Sequence, residues 1–307
     1  MKKVLVVHYS QSGQLSRIAE RFVSPLTEAA DVEVTFAALQ PVEPFPFPWP
    51  FLRFAGTFPE CVYLDPPPIQ TPPIDPEERF DLVVLAYQVW FLAPACPATA
   101  FMQSELARRV LEDTPVVTLI ACRNMWLMAQ EEMKGMLESV RARLVGHVAL
   151  VDEAGSVWSF LATPLWVLTG NKGPRLGGRI PRAGVAEAEI EACDRFGSRI
   201  LDRLRQEEPL DESLLRGLGA VRVDEKLISS ERMGRRSFRA WGGLIRAVGP
   251  PGSLRRIPVL LAWFTFLVAF ILTLVPISVL LKKLIAPFTA RRIAKQKQYF
   301  SQPSGVS

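Results

Sequence analysis

Cysteine and histidine are scarce in this sequence. Four cysteines (Cys61, Cys96, Cys122, Cys193) are spread over 307 residues with no C-x-x-C pair, and there are only two histidines. That speaks against a disulfide framework and a structural zinc site, so no metal is expected and the thiols fit a reducing compartment. A signal peptide is not evident either. The apolar run after Lys2 and Lys3 is short and ends in Tyr-Ser-Gln, so it reads as a first strand. No internal repeat is visible.

Acidic residues are missing from two stretches. Residues 232–256 carry seven arginines and no acid, and residues 282–307 carry six lysines and arginines and no acid. The chain as a whole is +5, so the remainder outside these flanks is acidic. Between the flanks, residues 257–281 (IPVLLAWFTFLVAFILTLVPISVLL) hold no charge. As a helix this segment is about 37 Å long, enough to cross a bilayer core. The alternative is a buried core helix. Beside a membrane segment the basic flanks read as anchors for lipid headgroups, and nucleic acid is not the expected partner.

What is present is a hydrophobic content of 49% and an alternation of apolar strands with amphipathic helices. Strands are expected at 3–9, 32–39, 80–87, 115–121 and 146–152. Helices are expected at 13–29, 97–112, 125–144 and 185–207. Five such strands imply an α/β doubly wound parallel sheet, with ligands at the carboxyl ends of the strands. Two segments interrupt the pattern. Residues 41–78 contain twelve prolines, which excludes a long regular helix over most of the segment and leaves room for a short one near 49–57. Residues 153–183 carry the apolar piece VWSFLATPLWVLTG. Both read as apolar loops over one end of the sheet, packed on the scaffold or touching lipid. The expected organisation is a domain over 1–207 with insertions at 41–78 and 153–183. A basic linker expected to form an amphipathic helix follows at 208–256, then a transmembrane or re-entrant segment at 257–281 and a basic tail at 282–307.

The turn after the first strand reads Ser10-Gln11-Ser12-Gly13-Gln14-Leu15. At a helix N-terminus such a turn offers backbone N–H groups and a favourable dipole to an anion, with two hydroxyls and a glycine for close approach. It is neither G-x-G-x-x-G nor G-x-x-x-x-G-K-[ST].

Ser10 to Gln14 resemble the phosphate loop of flavodoxins, Thr/Ser-x-Thr-Gly-x-Thr, which wraps the phosphate of FMN. Leu15 departs where a hydroxyl residue is common, and Ser16 is a substitute. YQVWFLAP (87–94), with Gln88, Val89, Trp90 and Phe91, resembles the flavin-facing loop of quinone-reductase-like members of that fold. ACRNMW (121–126), with Ala121, Cys122, Arg123 and Asn124, occupies the place of the third flavin loop. The resemblance covers about residues 1–207 and implies a flavodoxin-like fold with FMN; nothing resembles an adenosine-binding region, so FAD is not expected.

A closer likeness spans nearly the whole chain. PFPFPWPFLRF, FPECVYLDPPP, LVVLAYQVWFLAP, TPVVTLIACRNMWLMAQE and RGLGAVRVDEKLISSER resemble the bacterial family labelled dialkylresorcinol condensing enzymes, found with aryl-polyene and dialkylresorcinol biosynthesis. No ketosynthase triad is visible. The implied role is oxidative aromatisation of a dialkylcyclohexane-1,3-dione after a separate ketosynthase has built the ring. Under that reading Arg123 stabilises a developing enolate, His8 and Tyr87 are proton-transfer candidates with packing as their alternative, and Trp49, Phe51, Trp126 and Trp158 line the pocket for a lipid-like substrate. An NAD(P)H-dependent quinone reductase and a non-enzymatic electron carrier are the other readings, and a homodimer is left open. The expected location is the cytoplasmic face of a bacterial inner membrane. A single span with an exported tail is the expectation for the C-terminal region, and a re-entrant segment kinked at Pro276 is the alternative.

Overall fold

The computed structural model describes residues 1–303, apart from the side chains of 155–157, 159, 160 and 274–289. Its strands are β1 (Lys2–His8), β2 (Val32–Ala38), β3 (Leu82–Trp90), β4 (Ala93–Pro94), β5 (Pro115–Cys122) and β6 (Arg143–Val151). The helices are α1 (Gln14–Thr27), α2 (Phe51–Tyr63), α3 (Cys96–Met102), α4 (Glu105–Leu111), α5 (Leu127–Ser139), α6 (Gly155–Thr169), α7 (Glu187–Glu191), α8 (Asp194–Arg205), α9 (Glu225–Val248) and α10 (Arg256–Ser301).

Five strands pair in parallel in the order β2-β1-β3-β5-β6, and β4 turns back antiparallel on β3. This is the flavodoxin-like doubly wound arrangement, and the winding reverses between β1 and β3. The strands are apolar through their centres because both faces are covered by helices. On α1 the residues Leu15, Ile18, Ala19, Phe22, Val23 and Leu26 are all buried, as the helical spacing requires. Helix α8 lies directly against α1. A Cβ at Gly197 would meet the Phe22 carbonyl oxygen at 2.1 Å, so only glycine permits this approach.

Several elements differ from the sequence expectation. The helix expected at 97–112 is two short ones, because the Ser104 hydroxyl caps α4 by accepting the Ala107 N–H at 3.1 Å. The helix expected at 125–144 ends at Ser139, and Arg141 turns the chain with φ 58°; Leu144 therefore lies on β6. The helix expected at 185–207 breaks between α7 and α8 at Ala192 and Cys193. Strand β3 runs on to Trp90. The two apolar insertions are not plain loops. The first holds α2, which tolerates Pro59 inside it and runs past the expected 49–57. The second holds α6. The insertions touch each other, since the Trp49 N–H donates to the Val167 carbonyl at 2.9 Å.

The core extends past residue 207. Leu214, Leu215, Ala220 and Val221 are buried in it. Helix α9 then packs on α2, with the Phe58 and Phe238 rings 5.3 Å apart. The start of α10 joins the same layer, where Trp263 stacks on Phe58 at 3.8 Å. A buried ion pair, Arg256 to Glu60 at 2.9 Å, ties α10 to α2.

Residues Arg256–Thr273 form the one candidate membrane span among the described residues, by length and composition, and 17% of that stretch is buried. The far end of α10 returns to the same body. Lys297 pairs with Glu225 at 2.7 Å, the Tyr299 hydroxyl donates to Glu131 at 2.9 Å, and Phe300 is buried in the main core. Leu260 and Ile245 share one apolar cluster, and Lys297 meets Glu225, so α10 touches α9 near both of its ends. A straight helix from 260 to 297 would span about 55 Å, whereas α9 from 225 to 245 spans about 30 Å. The two ends of α10 are thus closer than a straight rod allows. A single span with an exported tail does not match this arrangement.

Candidate functional site

Three chain segments meet at the carboxyl end of the sheet: the turn after β1, the end of β3 with its hairpin, and the turn after β5. In the first, Gly13 is the N-cap of α1 with φ 79°, a left-handed conformation that favours glycine. Nothing lies within 4 Å of the point where its Cβ would be. Gly13 offers no side-chain cap and the first turn holds no acidic residue, so no carboxylate offsets the helix's positive end. Ser10 accepts the Leu15 N–H on its hydroxyl at 3.1 Å, while the Leu15 side chain is buried in the core. Leu15 therefore has only backbone to offer.

Gln11 and Gln14 are already engaged. Gln11 donates to the Phe45 and Pro46 carbonyls at 3.0 and 2.7 Å, which pins the proline-rich insertion onto the turn. Its backbone N–H donates to the Gln88 side chain at 3.2 Å, joining the first segment to the second. Gln14 brackets Val185, accepting its N–H at 3.2 Å and donating to its carbonyl at 3.4 Å.

Strand β3 ends in a two-residue turn, Phe91-Leu92, with both φ angles positive (51° and 64°). Such a turn suits a tight hairpin but is unusual for bulky residues. The two neighbouring rings take different ring partners while both rest on Cys61, Ala93 and Cys96. Trp90 packs edge-on to Tyr9, Phe45 and Trp49 at 5.8, 5.1 and 5.6 Å. Phe91 instead packs on Phe54 and Phe58, at 4.9 and 5.4 Å, in the α2 layer. Val89 pairs with Pro94 within the hairpin.

In the third segment Ala121 and Cys122 close β5, and Arg123 and Asn124 follow. Both amide atoms of Asn124 are buried without a hydrogen-bond partner. The Arg123 guanidinium donates to Met125 Sδ at 3.3 Å. Burial pulls Arg123 down to about 10, against the opposing pull of Cys122, Asp152 and Glu231. Burial likewise pushes the Cys122 thiol up. Asp152 is buried, accepting the Ala154 and Gly184 N–H groups at 2.7 and 3.0 Å and the Thr163 hydroxyl at 2.9 Å.

Of the remaining sequence candidates, Trp49 joins this end of the sheet and the others lie elsewhere. The Tyr87 hydroxyl is fully buried and donates to Gln130 at 2.6 Å, and burial raises its pKa, so it belongs to the core. His8 lies edge-on to Phe36, and burial lowers its pKa. The four residues expected to line one pocket are dispersed. Trp49 is in the Trp90 cluster, and Phe51 contacts Phe264 of α10 at 4.7 Å. Trp126 packs inward on His147 at 4.9 Å, and Trp158 is exposed on α6. They diverge because each belongs to a different helix or strand end.

Glu231 was not anticipated. It reaches from α9 to accept the Met128 N–H at 2.7 Å, and burial raises its carboxyl to about 8. Its one signal in the sequence is position: it is the last acid before a long basic run. A second group, Tyr87–Gln130–Thr118–His147, forms a buried chain under the sheet end, with Gln130 to Thr118 at 3.2 Å and Thr118 to His147 at 2.8 Å. Burial holds His147 neutral, with its pKa down at about 3.

No protein-family description matches the sequence, and no curated protein matches it. Among solved structures, the chain is similar to a flavoprotein from Lactobacillus acidophilus in complex with FMN, at 18% identity and TM-score 0.40, covering 48% of this chain and 93% of that one. It is also similar to the Trp repressor binding protein from Bacillus subtilis, at 10% identity and TM-score 0.30, covering 58% of this chain and 99% of that one.

Proposed function

We propose that the chain is a membrane-associated, FMN-dependent oxidoreductase acting on a hydrophobic ring substrate. The observation that carries this is the pairing of the open helix N-terminus at Gly13, where the Ser10 hydroxyl takes the Leu15 N–H, with the unpartnered amide of Asn124 on a neighbouring strand end. The residues present fit FMN: Ser10, Ser12 and the first N–H groups of α1 would hold its phosphate, and Asn124 and Arg123 would meet the polar edge of its ring. Bound FMN would supply a two-electron acceptor.

The reaction we favour is loss of two hydrogens from a dialkylcyclohexane-1,3-dione, giving a dialkylresorcinol. Arg123 would stabilise enolate charge, because its donors are several and it remains cationic at neutral pH. Trp90, Tyr9, Phe45 and Trp49 would form an apolar wall that excludes water and faces the alkyl chains. The exposed apolar stretch of α10 would hold the protein where such a substrate dissolves, on the cytoplasmic face of a bacterial inner membrane.

The test begins with the absorption spectrum of the full chain purified in detergent with added FMN. Anaerobic mixing with a dialkylcyclohexane-1,3-dione then follows flavin bleaching and, by mass spectrometry, resorcinol. Bleaching with resorcinol formation supports the reading. A colourless protein overturns the FMN assignment. Turnover of a simple quinone with NAD(P)H and no reaction with the dione replaces the aromatisation by quinone reduction.

A further inference from the structure

We propose that a basic cleft between α9 and the returning end of α10 binds the phosphate of an anionic membrane lipid. The cleft has a volume of about 480 Å³ and is lined by Arg232, Arg291, Arg292, Lys295, Gln296 and Tyr299. Four of these six residues are cations. None of the four has an ion pair among the described residues. The sequence cannot neutralise them locally, since residues 232–307 contain no acid. Other elements bring three carboxylates near: Glu225 pairs with Lys297 at 2.7 Å, Glu131 accepts the Tyr299 hydroxyl at 2.9 Å, and Glu138 of α5 acts on Tyr299 electrostatically, so the four cations outnumber them. Like charges held in one concavity raise the local anion concentration. Guanidinium forks beside a lysine suit a phosphate.

The same helix argues that this phosphate belongs to a lipid. At its other end α10 exposes Leu261, Phe264, Val268 and Leu272, the last at 70%. A helix that presents exposed apolar residues and then a cluster of cations has the two features that bind an anionic leaflet. Both ends of α10 rest on the sheet domain, so the cleft lies on the domain's side of the bilayer. Headgroup binding there would hold the basic tail on that side. The inference rests on the membrane part of the function proposed above and is independent of the flavin.

Flotation of the detergent-depleted full chain tests this, using vesicles of phosphatidylcholine alone and of phosphatidylcholine mixed with phosphatidylglycerol. Wild type should bind both and prefer the anionic vesicles. Arg291→Gln/Arg292→Gln/Lys295→Gln should lose that preference, on the order of 100-fold at about fivefold per charge, and keep its binding to neutral vesicles. A control with three charges removed outside the cleft, Arg199→Gln/Arg216→Gln/Arg222→Gln, should keep the preference. Matching thermal melts establish that both variants fold. Undiminished preference in the cleft variant overturns the proposal, as does equal loss in the control. Abolition of the preference by inorganic phosphate, but not by chloride of equal ionic strength, reassigns the cleft to free phosphate. Binding to neutral vesicles without any preference sinks the cleft and leaves the membrane reading standing. No binding to either vesicle sinks both.

Discussion

The Glu231 carboxylate on α9 accepts the backbone N–H of Met128 at the start of α5, at 2.7 Å. It stands where an anion would gain from the helix dipole, yet burial dominates and raises it to about 8 from 4.5. The unfolded chain loses this proton near 4.5 and the folded chain keeps it to about 8. The unfolded state therefore binds fewer protons across that window, and stability falls as pH rises through it. Glu231→Gln should flatten this decline, so that relative to wild type it gains a few kcal/mol between about pH 5 and about pH 8.5. Urea unfolding followed by near-ultraviolet circular dichroism at the two pH values measures it. Parallel pH profiles for the two proteins would count against a neutral, buried carboxyl.

Gly13 carries the second prediction. Its φ of 79° costs any L-residue about 1–2 kcal/mol, although the space around it is open. Gly13→Val should lower stability by about that amount and also abolish FMN binding, by filling the approach to the α1 N-terminus. Ser12→Glu should expel FMN by charge repulsion with little change in stability. Flavin absorbance after gel filtration, beside a melting curve, separates the two effects. Retention of FMN by both variants would remove the phosphate from this turn.

The buried pair Glu60–Arg256 joins α2 to the start of α10 at 2.9 Å. Arg256 also donates to the Gly249 carbonyl at 2.7 Å. Removing one partner leaves a buried charge uncompensated, so Glu60→Ala and Arg256→Ala should each cost about 3–5 kcal/mol. Replacing both with apolar residues of similar volume should cost much less. Unfolding in detergent, with limited proteolysis around residue 250, reads the effect. Single substitutions that leave both measurements unchanged would mean the pair holds nothing.

The parallel sheet was legible because its strands are continuous apolar runs between amphipathic helices, and β1, α1 and β2 fall within two residues of their expected bounds. The glycine turn that opens α1 was legible because Gly13 and its neighbours are contiguous. Breaks within helices were not, since Ser104 reads equally well inside a helix or as a cap. The wall around Trp90 was only partly legible. Tyr9, the Phe45–Trp49 insertion and Trp90 are three separate places in the chain, and the turn at Phe91-Leu92 gives neighbouring rings different ring partners. Glu231 was invisible because it acts on α5 from more than 100 residues away. The end of the last expected helix and of the flavodoxin resemblance placed 208–256 outside the domain, whereas α9 shares its core through Ile228 and joins the α2 layer through Ile245.

The last prediction concerns the tail. Lys297, Tyr299 and Phe300 contact the domain that also holds Arg256 and Trp263, so the chain after α10 should emerge on the domain's side of the membrane. Gln302 is exposed and suits a reporter; Ser304, two residues on, lies outside the described residues. Cys122 is the only native cysteine not fully buried, so Cys122→Ser removes the background. In that background Gln302→Cys and a domain reporter, Glu28→Cys, are treated with a membrane-impermeant maleimide in intact spheroplasts and again after lysis. The two reporters should behave alike, silent before lysis and labelled after it, because both ends of α10 lie on one side. Labelling of residue 302 alone in intact spheroplasts would establish a true span with an exported tail.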